Sequence, residues 1–274
     1  MRGTHPWHTR IVRWGAPRAL TPTLSQGERE KDHKATDMHG NVHSVFAATA
    51  ARTPQAEFLF TESVTAKAYG IAAGALRWGD AAAQVERLRQ AYGEAGWGHG
   101  HRVGLLLENR PAFLLHWLAL NALGASVVPI NAEMRSAELI YLIGHSEIGL
   151  AVTLPERAAD LRAAAEQAGV PFATMGADDT VPQAPKAAPR AADPIGPATE
   201  CALLYTSGTT GRPKGCILSN DYFLSAGQWY AALDGVCSIR PDTERVITPL
   251  PLNHMNAMAF STMVVLTAGG CLVQ

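Results

Sequence analysis

The chain has 274 residues, 47% of them hydrophobic and 17% charged, with a formal net charge of -1. That length and apolar content suit one or two packed cores and exclude a largely disordered polypeptide. The near-neutral balance offers no general field for nucleic acid or an anionic membrane, so a small molecule is the expected partner. The four cysteines, Cys201, Cys216, Cys237 and Cys271, contain no CxxC pair, which leaves zinc and dithiol motifs unsupported. No disulfide-dense pattern and no secretory leader are evident, which points to a reducing cytoplasm.

Residues 1–37 include "TRIVRWGAPRALTPTLSQGEREKDHKAT". The segment has no apolar period of 3.6 or 2 and no apolar core of a signal peptide. Glu28, Glu30 and Asp32 argue against an organelle-targeting leader. The stretch "LTPTLSQGERE" resembles peptides produced when bacterial intergenic repeats are translated. Residues 1–37 are therefore expected to be a misassigned or disordered extension, with Met38 opening the folded protein. Val42, Val45, Phe46 and Ala50 then share one face of a short helix.

From about Trp78 the pattern alternates. Asp80 to Ala95 aligns Ala81, Val85, Leu88 and Tyr92 on one stripe, with Glu86, Arg87 and Arg89 off it, as an amphipathic helix requires. "RVGLLLE" predicts a strand buried on both faces. "NRPAFLLHWLALNALG" predicts a helix with Pro111 near its start and Gly124 at its stop. "SVVPI", "SAELIYLIGH" and "IGLAVTL" continue as strand, helix and strand, and Leu161 to Ala168 is helical again. Helices and strands of these lengths imply βαβ units and a mostly parallel sheet, an α/β fold. His116, Asn121 and the Gly124-Ala-Ser break divide the apolar run from Pro111 to Ile130 into helix and strand, against a membrane span.

Residues 175–198 hold five prolines in "DDTVPQAPKAAPRAADPIGPA", which predicts an extended, solvated linker between residues 38–174 and 199–274. Beyond it, "SNDYFLSAGQWYAAL" predicts a helix capped by Ser219 or Asn220. "ERVITPLPL" predicts a strand, "MAFSTMVVLTA" a helix, and "GGCLVQ" the beginning of another strand.

Between these elements lies "LLYTSGTTGRPKGCIL". Ala202 to Tyr205 delivers the chain in a buried strand. Thr206, Ser207, Thr209 and Thr210 supply hydroxyl donors, while Gly208, Gly211 and Gly215 permit close backbone approach to a ligand. Successive backbone N–H groups form an anion-binding nest, and Lys214 adds a point charge suited to phosphate. The expected ligand is a polyphosphate. The spacing is not that of the P-loop, because Gly215 rather than Ser or Thr follows the lysine. A surface hairpin rich in turn formers is the alternative that the composition of this stretch also permits.

The string "YTSGTTGRPKG" resembles the phosphate-binding signature of the adenylate-forming superfamily, which includes acyl-CoA synthetases, aryl-CoA ligases, peptide-synthetase adenylation domains and luciferases. "GHGHRVGLLLENRPAFLLHWLALNALGASVVPINAEMRSAELIYLIGHSE" is similar to the family's early α/β region, and "PLPLNHMNAM" to a later segment beside the acyl pocket. The likeness covers the chain from about Asn41 onward. It implies a layered αβαβα domain, incomplete at the C-terminus. It also implies adenylation of a carboxylic acid by MgATP followed by transfer to CoA. Thr206, Ser207, Gly208, Thr209, Thr210, Gly211 and Lys214 would hold the ATP phosphates. His254, Asn253 and Asn256 would line the acyl side. Asn253 stands where an aromatic is commoner, and Asn220 where many members carry a histidine, which bears on acyl specificity. The family's later "YGxTE" and "TGD" motifs, hinge and C-terminal lid have no counterpart here. The chain is thus expected to be the N-terminal portion of a ligase, inactive alone and with no catalytic or metal-ligating residue of its own. A non-catalytic remnant of such a ligase and an unrelated phosphate-binding module are the other readings. The strand "CLVQ" is expected to lack its sheet neighbours, leaving an exposed edge.

Overall fold

The computed structural model describes residues 12–13, 40–185, 194–206 and 213–274. Val12–Arg13 form a short strand, β1, and the chain then runs through α1 (Val42–Arg52), β2 (Glu57–Thr61), α2 (Ser63–Tyr69), β3 (Gly74–Arg77) and α3 (Trp78–Glu94). The expected alternation follows as β4 (Arg102–Leu106), α4 (Pro111–Ala122), β5 (Ser126–Pro129), α5 (Ser136–Ser146), β6 (Leu150–Thr153), α6 (Ala158–Ala168) and β7 (Ala173–Met175). Past the Pro-rich segment come β8 (Glu200–Thr206), β9 (Lys214–Ser219), α7 (Asn220–Ala231), β10 (Arg245–Ile247), α8 (Met263–Ala268) and β11 (Cys271–Val273). Apart from β1, the expected extension of residues 1–37 lies outside the described residues.

The strands form two sheets. The first has the order β1-β9-β8-β5-β4-β6-β7 and is parallel except for the β8–β9 hairpin. The second has the order β10-β11-β2-β3, antiparallel only between β2 and β3. From β4 the chain crosses to β5 on one side, then returns past β4 to β6. Right-handed crossovers in opposite directions put α4 and α5 on opposite faces of the first sheet. Helix α6 packs beside α5, whereas α4 packs with α1 and α3, and α7 with α8. Helix α3 also touches β2 and β3, so these helices fill the space between the sheets.

The uniformly apolar α4 is explained by that middle position, since a helix covered all round has no polar face. Phe113 to Asn121 are all buried. No helix among the described residues is long and apolar enough to cross a membrane. Phe46, Phe58 and Trp78 join α1, β2 and α3, with Phe58 and Trp78 centroids 4.4 Å apart. The Trp78 indole N–H donates to the Gly270 carbonyl at 3.1 Å. Gly227 lets α7 and α8 meet closely, because a Cβ there would lie 2.9 Å from the Met263 carbonyl oxygen.

His116 is the polar residue of α4 with a titration consequence. Its Nε2–H donates to the Ala177 carbonyl at 3.0 Å, and its Nδ1 accepts the Tyr92 hydroxyl at 2.8 Å. Burial pushes its pKa down to about 4. In the unfolded chain it titrates near 6.5, so the unfolded state binds the extra proton first as pH falls. The stabilisation is complete above that value and is lost between about pH 6.5 and 4, amounting to about 3 kcal/mol for this group. Urea midpoints should fall across that window, and the native His116 ring should show no NMR inflection near 6.5. An inflection there would contradict the buried neutral pair.

Several expectations change. Residues 57–77, which carry no strong period, form β2, α2 and β3. The strand expected in "ERVITPLPL" is the three-residue β10, and "MAFSTMVVLTA" contributes to a π-helical turn, Asn256–Thr262, before α8. Strand β11 is not missing its neighbours, because β10 and β2 flank it in parallel. Residues 176–185 of the Pro-rich segment are held on the body. Trp97 donates to the Pro182 carbonyl at 2.8 Å, Ala184 N–H to the Ala95 carbonyl at 2.7 Å, and Val181 is buried. Extended Pro-rich backbone leaves its carbonyls outside any ladder, available to such donors. Residues 186–193 of the expected linker lie outside the described residues.

Asn220 also has a different role from the one its family position suggests. It is wholly buried at the start of α7, and Ser219 is the cap, accepting the Tyr222 N–H. The Asn220 carbonyl oxygen accepts the Val42 N–H at 3.1 Å and the Asn121 amide at 2.8 Å. Its amide nitrogen donates to the carbonyls of Gly196 and Thr199. The residue ties α1, α4 and α7 together and lines no open surface.

Candidate functional site

The hairpin β8–β9 places its tip beyond the carboxyl end of β5, where open α/β sheets present ligand-binding loops. Thr206 and Lys214 are the last cross-strand pair among the described residues, and both are exposed. Lys214 takes part in no ion pair among the described residues. Ser207, Gly208, Thr209, Thr210 and Gly211 lie outside the described residues.

The base of the hairpin is built from aromatic contacts. Gly215 lies opposite Tyr205, and a Cβ there would sit 3.4 Å from the Tyr205 ring and 3.0 Å from Leu203. The missing side chain lets the ring cover the facing strand. The Tyr205 hydroxyl shares a 2.7 Å hydrogen bond with His145 Nδ1, and the Tyr141 hydroxyl donates to the Pro213 carbonyl at 3.0 Å. Burial, reinforced by Tyr141 and opposed by Arg102, holds the Tyr205 pKa well above the ordinary phenol value. Tyr205 is therefore a neutral hydrogen-bonding anchor. At the other end of β8, Glu200 receives the Arg102 guanidinium through two bonds of 2.6 and 2.9 Å. That pair fixes where the strand begins, and the Tyr205 contacts fix where it ends.

The second group of expected residues lies on the segment between β10 and α8. Asn253 is half-buried, whereas His254 and Asn256 are exposed. His254 opens a helical turn, with its N–H on the Pro251 carbonyl and its own carbonyl accepting Met258 N–H. The π-helical turn begins at Asn256 and is closed by the Thr262 hydroxyl donating to the Ala257 carbonyl at 2.8 Å. Such turns occur often at functional sites. Among the described residues, no hydrogen bond or ion pair joins this group to Thr206 or Lys214.

What holds the segment is Asn109, in the loop after β4. Its amide donates to the Leu250 carbonyl at 3.0 Å, and its oxygen accepts the Leu252 N–H at 2.7 Å. Glu108 precedes it with φ 54°, turning the chain sharply at the strand end. Replacing Asn109 with alanine should cost about 1–2 kcal/mol and accelerate exchange of the Leu252 amide. Unchanged protection of that amide would show that the segment is held by other contacts.

Asn109, Tyr141 and His145 were not singled out by sequence. Tyr141 and His145 carried one legible signal, two hydrogen-bonding aromatic side chains four residues apart on one helix face. Asn109 carried none beyond its position ahead of Pro111.

The family profile described as AMP-binding enzyme matches residues 46–274. The sulfoacetate–CoA ligase of Cupriavidus necator is 31% identical over 236 residues, covering 84% of this chain and 44% of that protein. The crotonobetaine/carnitine–CoA ligase of Salmonella typhimurium is 29% identical over 203 residues, 69% of this chain and 38% of its own length. The N-terminal domain of FACL13 from Mycobacterium tuberculosis superposes with a TM-score of 0.68 at 22% identity, covering 86% of this chain and 57% of that one. ATP-bound MatB from Rhodopseudomonas palustris gives 0.64 at 24% identity, covering 85% and 45%. These structures share the fold. The chain spans less than half the length of the two curated ligases.

Proposed function

The chain belongs to the AMP-binding enzyme family, and from that premise we propose that it serves ATP-dependent activation of a carboxylic acid and transfer of the acyl group to CoA. A carboxylate oxygen attacks the α-phosphorus of ATP, the bond from that phosphorus to its bridging oxygen breaks, and pyrophosphate leaves. The CoA sulfur then attacks the acyl carbon, its proton is lost, and AMP departs with the bonding pair. The observation that carries this reading is the exposed Thr206–Lys214 pair at the tip of an anchored hairpin, inside the matched residues.

Thr206, Ser207, Gly208, Thr209, Thr210, Gly211 and Lys214 hold the phosphates. Their N–H groups, hydroxyls and ammonium offset the charge that develops on pyrophosphate as it leaves. Asn253, His254 and Asn256 face the acid. Among the described residues no group of three His, Cys, Asp or Glu is placed to hold a metal ion. Magnesium would arrive on the nucleotide phosphates, as that ion usually does. The names of the sulfoacetate and crotonobetaine/carnitine ligases support a small carboxylic acid, and a cytoplasmic setting is proposed with it. Residues 38–274 are proposed as the main folded unit, to which Val12–Arg13 of the preceding segment add an edge strand beside β9.

The decisive experiment is carboxylate-dependent exchange of labelled pyrophosphate into ATP, run on a protein that carries these residues within the full length of its relatives. No exchange with any of a panel of small acids would overturn the reading. The 274 residues by themselves are proposed to form no acyl-CoA, because they span less than half the length of the two curated ligases. Catalysis of this kind depends on positioning worth up to about 7–11 kcal/mol, which a partial site forfeits. Acid-dependent thioester formation by the 274-residue chain would contradict that.

A further inference from the structure

Both strands of the β8–β9 hairpin are tied, near the tip, to the same face of α5. Tyr141 and His145 stand one helical turn apart on that face. The Tyr141 hydroxyl holds the Pro213 carbonyl, immediately before Lys214. His145 Nδ1 holds the Tyr205 hydroxyl, immediately before Thr206. Tyr141 and His145 stack on each other with centroids 5.3 Å apart and planes 18° apart. Tyr205 stands edge-on to both, at 6.4 and 5.8 Å.

Helix α5 is a firm support for this contact. Leu139, Leu142 and Ile143 are buried, and the Glu138 carboxylate accepts the Arg135 N–H at its first turn. Toward the hairpin tip, in contrast, the ribbon is two-stranded, and Thr206–Lys214 is the last pair of the ladder among the described residues. A lysine ammonium on a long side chain reaches a fixed point only if its backbone is fixed.

We propose that Tyr141 and His145 are positioning residues for the phosphate-binding hairpin, setting the placement of Thr206 and Lys214 from α5 without themselves touching the ligand. The inference rests on reading the hairpin as the phosphate site. Removing one anchor leaves the charge in place but adds an ordering cost to each binding event.

The test is a calorimetric titration of the 274-residue chain with inorganic tripolyphosphate. It compares the parent, Tyr141→Phe, Lys214→Ala and the double variant. Tyr141→Phe keeps the ring and its stacking and removes only the hydroxyl. It should weaken binding about three- to tenfold, with the ligand-free chain losing no more stability than one partly exposed hydrogen bond accounts for. In the Lys214→Ala background the same change should add little, because the hydroxyl acts through the placement of that ammonium. Full additivity in the double variant would overturn the positioning role. Parental affinity in Tyr141→Phe, with Lys214→Ala weakened, would also overturn it and leave the phosphate site standing. Parental affinity in Lys214→Ala, or no binding by the parent chain, would remove the phosphate site and the inference with it.

Discussion

Lys214→Ala is expected to weaken binding of MgATP or tripolyphosphate by about 1.5–3 kcal/mol, roughly ten- to a hundredfold, the cost of one hydrogen bond to a charged group. Lys214 is exposed, and among the described residues its side chain makes no ion pair that the fold depends upon. The ligand-free variant should melt within about 0.5 kcal/mol of the parent, as surface substitutions usually do. The combination of a large binding loss with unchanged stability separates a ligand-binding lysine from a structural one. Thr209→Ala should act in the same direction through a lost hydroxyl. If both variants bound MgATP like the parent, the hairpin would not be the phosphate site.

Asn220→Ala should have the opposite signature, a large loss of stability. Four hydrogen bonds converge on this wholly buried side chain. Alanine leaves the Val42 N–H, one Asn121 amide donor and two backbone carbonyls without that partner. At about 1–3 kcal/mol for each buried group left unsatisfied, and with partial relaxation, the expected cost is about 2–5 kcal/mol. That is a large share of an ordinary domain stability of about 5–15 kcal/mol. Urea denaturation followed by circular dichroism would measure it. Helix α1 should also loosen, because the Asn220 oxygen and the Asn121 side chain receive the Val42 and His43 N–H groups at its first turn. A loss below about 1 kcal/mol would mean that Asn220 is replaceable by water.

The two residues differ in a way that sequence alone did not separate. Both belong to the matched region, and both are polar residues flanking one strand. Lys214 was singled out because a cation inside a run of Gly, Thr and Ser suits an anionic ligand. Asn220 was read through its place in a family pattern, as a residue bearing on specificity. Only packing showed that its partners are the Asn121 side chain and backbone groups of α1 and of residues 196 and 199.

By itself, the sequence determined the elements from α3 to α6 and the strand β8 that leads into the loop. Their signals are local: an apolar stripe every 3.6 residues, short β-rich runs, and a Pro or Gly at the boundary. These preferences act within one or two turns of chain and need no knowledge of distant residues. The second sheet was decided only in three dimensions. Its strands are three to five residues long, too short for a period to stand out. Leu59 pairs with Leu272, from opposite ends of the described chain. The same holds for β11, expected to be unpaired and found between β10 and β2. The anchoring of the hairpin by Tyr141 and His145, and of residues 250–252 by Asn109, is likewise nonlocal. A hydrogen bond between a side chain and a backbone group many residues away leaves no periodic trace. It exists only once burial has brought the two groups within about 3 Å and excluded water as the competing partner.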